Sequence, residues 1–455
     1  MLLNHNNGAK IDTPSIDYAG IYIHIPFCIR KCPYCDFYSI TDTSLKNRFI
    51  KALLKEITLR SNNDLIVDTI YFGGGTPSIL NCEDVERIIE AISKSFHLID
   101  NEFIHKGENN ISKDKNENLT QYQNLNISEH SDINSNLKIT MEVNPCTVKD
   151  GYLRDIRGVG INRLSIGVQS FQDDKLNFLN RVHSADKARQ TILSAREAGF
   201  EDIGIDLIYG LPDETENIWL NDLNAAYEYR PEHLSCYMLS YEHDTPMFLA
   251  YEKGNIKPLD DETVASLFKL TSNYLVSKGF DHYEISNFAA FPKYQSKHNK
   301  KYWEMVPYLG FGPSAHSYCC ETPIQQKRFW NIKDVNKYIS MLEQSNSPIA
   351  EIEYLTKEQQ LIELIMVGLR TEKGIDIKLF EKLYRANTTP DNSVSQFKLI
   401  FKNVLDKIEA KSLGRIEQER VKLTIEGWLF LDTIIKWFVD ALEGYTIQGH
   451  KSSSA

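Results

Sequence analysis

Gly20-Ile-Tyr-Ile-His-Ile-Pro-Phe-Cys28-Ile-Arg-Lys-Cys32-Pro-Tyr-Cys35 is the stretch that decides how this chain is read. An apolar, strand-like run leads straight into cysteines spaced Cx3Cx2C. Three thiolates this close fit on one short loop and can hold three irons of a [4Fe–4S] cube, whose usual complement is four cysteines. The missing ligand leaves one iron open to a small molecule, an arrangement for chemistry rather than passive electron transfer. The competing reading is zinc. A structural zinc site is closed by four nitrogen or sulfur ligands, commonly in paired CxxC or HxxxH form. No second CxxC pair occurs, and His24 lies on the strand too close before the loop to complete one. Disulfides fit poorly as well, because the first residues carry no signal-peptide core. Cys82, Cys146, Cys236, Cys319 and Cys320 also show no framework spacing.

The remaining composition narrows the class. A chain of 455 residues allows two or three domains, and 42% hydrophobic with 25% charged residues is ordinary for a soluble globular protein. A formal net charge of −11 offers no electrostatic footprint for nucleic acid. No apolar stretch reaches the ~18 residues that span a bilayer. The longest candidate, Trp428 to Val439, is interrupted by Asp432 and Lys436 and reads as a buried amphipathic helix. The expected location is the cytoplasm, which suits an oxygen-sensitive cluster.

Through the first half, short apolar runs alternate with helical patterns. Strands are expected at Ile21–Ile25, Thr69–Phe72, Lys138–Val143, Arg163–Val168, Asp202–Ile208 and His233–Leu239. Between the first two, Ile50, Leu53, Leu54 and Ile57 keep the spacing of one buried helix face. A further helix is expected from about Ala185 to Ala198, with Ser184 as its N-cap and Gly199 closing it. Repeated βα units mean parallel strands, and six of them form an α/β partial TIM-like (β/α)6 barrel, whose functional residues sit at the C-terminal strand ends.

The barrel is expected over 20–245 and an extension of it over 246–350, with a tail before residue 20. The stretch from Asn101 to Asn136 is rich in Asn, Lys, Glu and Ser and lacks a steady period. It reads as a disordered surface insertion after a helix ending near His97. From 351 to 445 the pattern is mainly helical. It ends in two short β-like stretches, Ser412–Glu417 and Val421–Gly427, before the apolar helix, the shape of a winged-helix-like module. The residues after 445 read as a tail.

Several motifs fall at the expected strand ends. Tyr71-Phe-Gly-Gly-Gly-Thr-Pro-Ser78 follows the second strand, where consecutive glycines let backbone groups approach a ligand. Glu142, before the helix-breaking Pro145, ends the third strand with a carboxylate that can accept from ribose hydroxyls. Gln169 ends the fourth, Asp206 lies in the fifth, and Arg181 is placed to pair with a carboxylate. Singly, each reads as a cap or strand-end polar group; their common edge makes them a candidate site.

With those residues in place, the chain resembles the coproporphyrinogen III oxidase-like branch of the radical SAM superfamily. The resemblance covers nearly everything from Tyr18 to Glu443 apart from the Asn-rich insertion. It implies that Cys28, Cys32 and Cys35 bind the cluster. It also implies that Tyr22, Gly74, Glu142 and Arg181 meet one S-adenosylmethionine. A second cofactor site would correspond to Tyr34, Cys35, Asp36, Gly75, Thr76, Gln169 and Asp206.

That branch contains oxidative decarboxylases of coproporphyrinogen III and heme chaperones. The decarboxylases carry a fourth cysteine two positions beyond the third, where this chain has Phe37, and a longer N-terminal extension over the active site. The chaperones have an aromatic there and an HNxxYW motif, matched by His298-Asn-Lys-Lys-Tyr302-Trp303. The resemblance therefore implies a protein that holds heme and passes it to hemoproteins, membrane-associated ones among them, with porphyrinogen decarboxylation as the alternative. It leaves room for a homodimer. Imidazole is a common axial ligand of heme iron, and Tyr302 and Trp303 offer flat surfaces to a porphyrin. His298, Asn299, Tyr302 and Trp303 are thus the expected heme residues, and His316 and the Cys319–Cys320 pair are second choices. Read without the resemblance, His298 is a satisfied loop histidine and its aromatic neighbours are core.

Overall fold

The computed structural model describes residues 18–99, 136–320, 325–385 and 395–452. The N-terminal tail up to residue 17 and all but the last residue of the Asn-rich segment lie outside them. The strands are β1 (Ala19–Ile25), β2 (Asn62–Gly74), β3 (Phe96–Leu98), β4 (Lys138–Val143), β5 (Arg163–Gln169), β6 (Ile203–Tyr209) and β7 (His233–Met238). Apart from the three-residue β3, which takes up His97, these are the six expected strands. They pair in parallel in the order β1-β2-β4-β5-β6-β7.

The barrel is extended at both edges. On the β7 side, β8 (Asp281–Glu284) and β9 (Asn287–Ala289) add antiparallel strands. On the β1 side, β10 (Tyr308–Phe311) pairs in parallel, with Gly20 opposite Tyr308. Antiparallel β11 (His316–Cys320), β12 (Gln326–Asn331) and β13 (Ile349–Tyr354) follow it. β10 thus adds a parallel strand beyond the six.

In β1, Ile21, Ile23 and Ile25 are fully buried in the main core, together with Phe49, Ile50, Leu53 and Ile57 of the helix Lys46–Leu59. Strand alternation turns the intervening Gly20, Tyr22 and His24 to the barrel interior. The helix after β5, Ala185–Glu197, begins where expected: Ser184 accepts from Lys187 N, and Gly199 follows its end at φ +86°.

A second core, including Leu361, Ile365, Phe380, Phe397, Phe401 and Phe438, belongs to the C-terminal helices. Beside it lies a small sheet of β14 (Ile375–Asp376), β15 (Gly414–Glu417) and β16 (Arg420–Leu423). The β15–β16 hairpin turns through Gln418 and Glu419, at φ 49° and 60°, the positive pair that a two-residue I′ turn needs. Helices with a small wing are therefore present as the pattern implied. The apolar stretch from Trp428 is broken at Phe430 into the helices Ile425–Leu429 and Leu431–Ser452.

One buried carboxylate joins the first helix to the extension. Glu56 accepts from Arg60 Nη1 (2.8 Å), Gly312 N (2.9 Å), Asn331 Nδ2 (2.7 Å) and Tyr338 OH (2.6 Å). Its removal takes the acceptor from four donors at once, one of them the Arg60 guanidinium. Glu56→Ala is expected to cost about 3–5 kcal/mol, seen as a lowered urea midpoint; a loss below about 1 kcal/mol would contradict this role.

Candidate functional site

The cysteine loop leaves the C-terminal end of β1 and is pinned at its base. Cys28 N donates to Ile40 O (2.9 Å) and Ile40 N to Pro26 O (2.7 Å). Within it, Cys35 N reaches Cys32 O at 3.2 Å. Thr76 Oγ1 lies 3.4 Å from Cys28 Sγ, and Arg181 Nη1 3.6 Å from Cys32 Sγ. Burial, then the neighbouring Cys32 and Cys28, pushes the Cys35 thiol up to about 11. Three thiols on one short loop suit a cationic metal group, which binds them as thiolates.

The glycine run serves packing before it serves a ligand. A Cβ on Gly75 would lie 2.8 Å from Phe27 O and 3.1 Å from Cys28 Sγ. One on Gly74, at φ +108°, would lie 2.6 Å from the His24 ring. The absent side chains let the end of β2 close against the cysteine loop, and Gly75 N donates to Ile25 O (2.8 Å).

Facing that loop across the barrel mouth are the polar groups of the neighbouring strands. Glu142 accepts from Tyr71 OH (3.0 Å) and Gly74 N (3.2 Å). It keeps some accessible surface because it faces the interior, but it is deeply recessed, and burial followed by the nearby Asp206 raises its carboxyl to about 8. Asp206 is itself raised by burial and accepts from Ser165 Oγ at 3.0 and 2.9 Å.

Arg181 Nη2 donates to Gly167 O (2.9 Å), while its buried Nε finds no acceptor among the described residues. Gln169 sits at a register shift of β5 with φ +69°, a conformation uncommon for a non-glycine residue and enriched at functional sites. Tyr34 lies half-buried beside Arg181 and Cys32, its phenol raised by burial, and Asp36 is exposed. Recessed carboxylates, an unspent guanidinium N–H and three thiols on one barrel rim fit a cluster with an amino-acid-bearing nucleoside.

Two contributors escaped the sequence reading. Tyr71 orients Glu142; strand parity with Gly73 puts it on the inward face. His24, held near 4 by burial, joins Tyr22 OH (Nδ1, 3.1 Å) to Tyr38 O (Nε2, 2.8 Å). Because Nε2 faces a carbonyl it carries the proton, and Nδ1 accepts from Tyr22.

The HNKKYW segment is elsewhere. It forms the helix Lys297–Trp303, capped by Ser296, and closes the N-terminal end of β1 and β2. Gly20 leaves room for it, since a Cβ there would meet Lys301 Cδ at 2.8 Å and His298 Cε1 at 3.0 Å. Lys297 and Lys301 pair with buried Asp68 (3.0 and 2.7 Å). His298 is buried, its Nδ1 2.9 Å from Thr69 Oγ1 and its Nε2 2.9 Å from Tyr302 OH. Burial, then Lys301, lowers its imidazole to about 3. Its ring stacks on Tyr71 at 5.2 Å and Tyr22 at 6.4 Å.

Tyr302 packs edge-on against Tyr308 (4.6 Å), Asn299 N lies 3.4 Å from Ser296 Oγ, and Trp303 borders a cavity at the C-terminal module. His316 is exposed and stacks on Trp330 (5.5 Å) on the strand that ends in Cys319 and Cys320, apart from the helix. Phe37 is 66% exposed. Among the described residues no helix is long and apolar enough to cross a membrane.

The Radical SAM superfamily pattern matches residues 22–226, and the HemN C-terminal domain pattern matches residues 355–430. The chain is similar to the heme chaperone HemW of Bacillus subtilis (strain 168), at 30% identity over 92% of this chain and 99% of that protein. It is 32% identical to the heme chaperone HemW of Escherichia coli (strain K12), over 65% of this chain and 69% of the relative. Among solved structures, coproporphyrinogen III oxidase (HemN) from Escherichia coli, a radical SAM enzyme, shares the fold. Its TM-score is 0.71, with 21% identity over 93% of this chain and 90% of that one.

The raised Glu142 carboxyl has a measurable consequence. A group at about 8 in the fold, against its ordinary 4.5, takes up a proton on folding. Its contribution is complete below the lower value and lost as pH rises through the higher one. Glu142→Gln mimics the protonated form, so the variant should gain on the wild type by about 1–3 kcal/mol between pH 5 and 9. Parallel urea titration curves across that range would rule this out.

Proposed function

The chain belongs to the heme chaperone HemW family of the radical SAM superfamily, and on that premise we propose that it binds heme and hands it to hemoproteins. The observation that carries this reading is the HNKKYW helix, in a chain where Phe37 stands at the position of the decarboxylases' fourth cysteine. The radical SAM core carries a [4Fe–4S] cluster and S-adenosylmethionine, which together supply one-electron chemistry when bound. Cys28, Cys32 and Cys35 hold the cluster. Tyr22, Gly74, Glu142 and Arg181 hold one S-adenosylmethionine, and Tyr34, Cys35, Asp36, Gly75, Thr76, Gln169 and Asp206 make room for a second. Glu142, oriented by Tyr71, receives ribose hydroxyls; Arg181 keeps a free Nε–H for a carboxylate.

Heme sits at the opposite end of the barrel, on His298, Asn299, Tyr302 and Trp303. For His298 to reach iron it must release either Thr69 or Tyr302. The protein acts in the cytoplasm and delivers to membrane-associated hemoproteins.

Anaerobic reconstitution followed by heme titration tests the reading. A saturable Soret band is expected, and incubation with coproporphyrinogen III, S-adenosylmethionine and reductant should yield no protoporphyrinogen. Product formation without heme binding would transfer the chain to the decarboxylases. A Soret band unchanged in His298→Ala would remove His298 from the ligand set.

A further inference from the structure

Between the Lys297–Trp303 helix and the C-terminal module lies a cavity of about 300 Å³, at the lower end of the ~300–1,000 Å³ typical of small-molecule sites. Its charges are nearly all spent on one another. Arg420 pairs with Asp376 at 2.7 Å, Lys422 with Glu372 at 3.1 Å, and Lys373 with Glu304. Tyr283 OH is engaged by Ser296 N (3.1 Å) and His233 Nε2 (2.8 Å).

Two donors are left over. Lys300 Nζ reaches only the neutral Gln295 Oε1 (3.0 Å) and forms no ion pair among the described residues. Trp303 Nε1 is buried and has no acceptor among them. Leu364, Gly368 and Leu379 give the same cavity an apolar side. A buried N–H without a partner costs about 1–3 kcal/mol, so these donors mark where an acceptor belongs. Burial, and then the charge of Lys373, holds the Lys300 ammonium below its usual range although Glu304 pulls the other way, and a further carboxylate on Lys300 Nζ would offset both. The ligand that matches two donors and an apolar wall lining one cavity is a carboxylate on a flat hydrophobic body.

We propose that this cavity takes the carboxylate edge of the porphyrin, with a propionate on Lys300 Nζ and Trp303 Nε1 and the ring edge against Leu364 and Leu379. The inference rests on the heme-binding reading and deepens it. Heme then bridges the barrel floor and the C-terminal module, and that module becomes part of the binding site. The volume holds one edge of the macrocycle, so the rest projects from the cleft, where a recipient can reach it.

The experiment compares heme with its dimethyl ester on the full, reconstituted chain in one detergent buffer. Heme should bind at least about tenfold more tightly than the ester, the scale of a lost charge-assisted pair. Lys300→Met should bring the heme affinity several-fold toward that of the ester, and Trp303→Phe should weaken heme binding more than ester binding. Equal binding of heme and ester by the wild type would overturn the inference while leaving heme binding intact. So would variants that weaken both ligands alike. If neither ligand binds, the heme reading itself fails. The wild-type comparison needs no variant to fold.

Discussion

Hydroxyls and imidazoles buried inside a parallel barrel are tolerable only if each finds a partner, because the interior offers no water to replace a missing one. The inward faces of β1 and β2 carry Tyr22, His24, Thr69 and Tyr71 where aliphatic side chains would ordinarily fill the space. Each is answered: Tyr22 by His24, His24 by Tyr38 O, Thr69 by His298 and Tyr71 by Glu142. This requirement fixes the neighbours. The cysteine loop must bring Tyr38 O back to the barrel, and the Lys297–Trp303 helix must deliver an imidazole to Thr69. β4 must present Glu142 opposite Tyr71. The cofactor rim and the closed floor are two ends of one set of satisfied polar contacts.

How much of this could be read in the residues follows from how local each feature is. The six parallel strands and the cysteine loop are written in short continuous segments, and so were legible. β10 was not: Tyr-Leu-Gly-Phe is too short to show a period, and its partner lies some 290 residues earlier. The Gly73–Gly75 run signalled close approach correctly but not of what, since the space is taken by His24 and the Phe27 carbonyl. Glu56 looks like any polar residue of an amphipathic helix, and only the extension's donors make it a buried node. The His298 motif was legible as a motif. Its buried, doubly paired ring was not, because Thr69 is far away in sequence.

The two candidate sites lie toward opposite strand ends but close together, since His298 stacks on Tyr22 and Tyr71 at ring distances of 6.4 and 5.2 Å. The interval is filled by stacked rings rather than by an open channel. Tyr71 gives its hydroxyl to Glu142 and its face to His298, so one side chain touches both regions. Reactive chemistry at the rim and a flat ligand at the floor therefore share a wall without sharing a cavity.

The floor also sets an order of events during synthesis. Gly20, Thr69 and Asp68 wait for Lys297, His298 and Lys301, and one edge of β1 stays unpaired until Tyr308–Phe311 emerges. At ribosomal rates of about 5–20 residues per second, that interval lasts roughly 15–60 s. For that time the nascent barrel has its bottom open. A chain truncated before residue 297 would leave Asp68 without its lysines and Thr69 without its imidazole. Metal loading on the growing chain would meet a cysteine loop already backed by Gly75 and Thr76 in a barrel whose floor is still open.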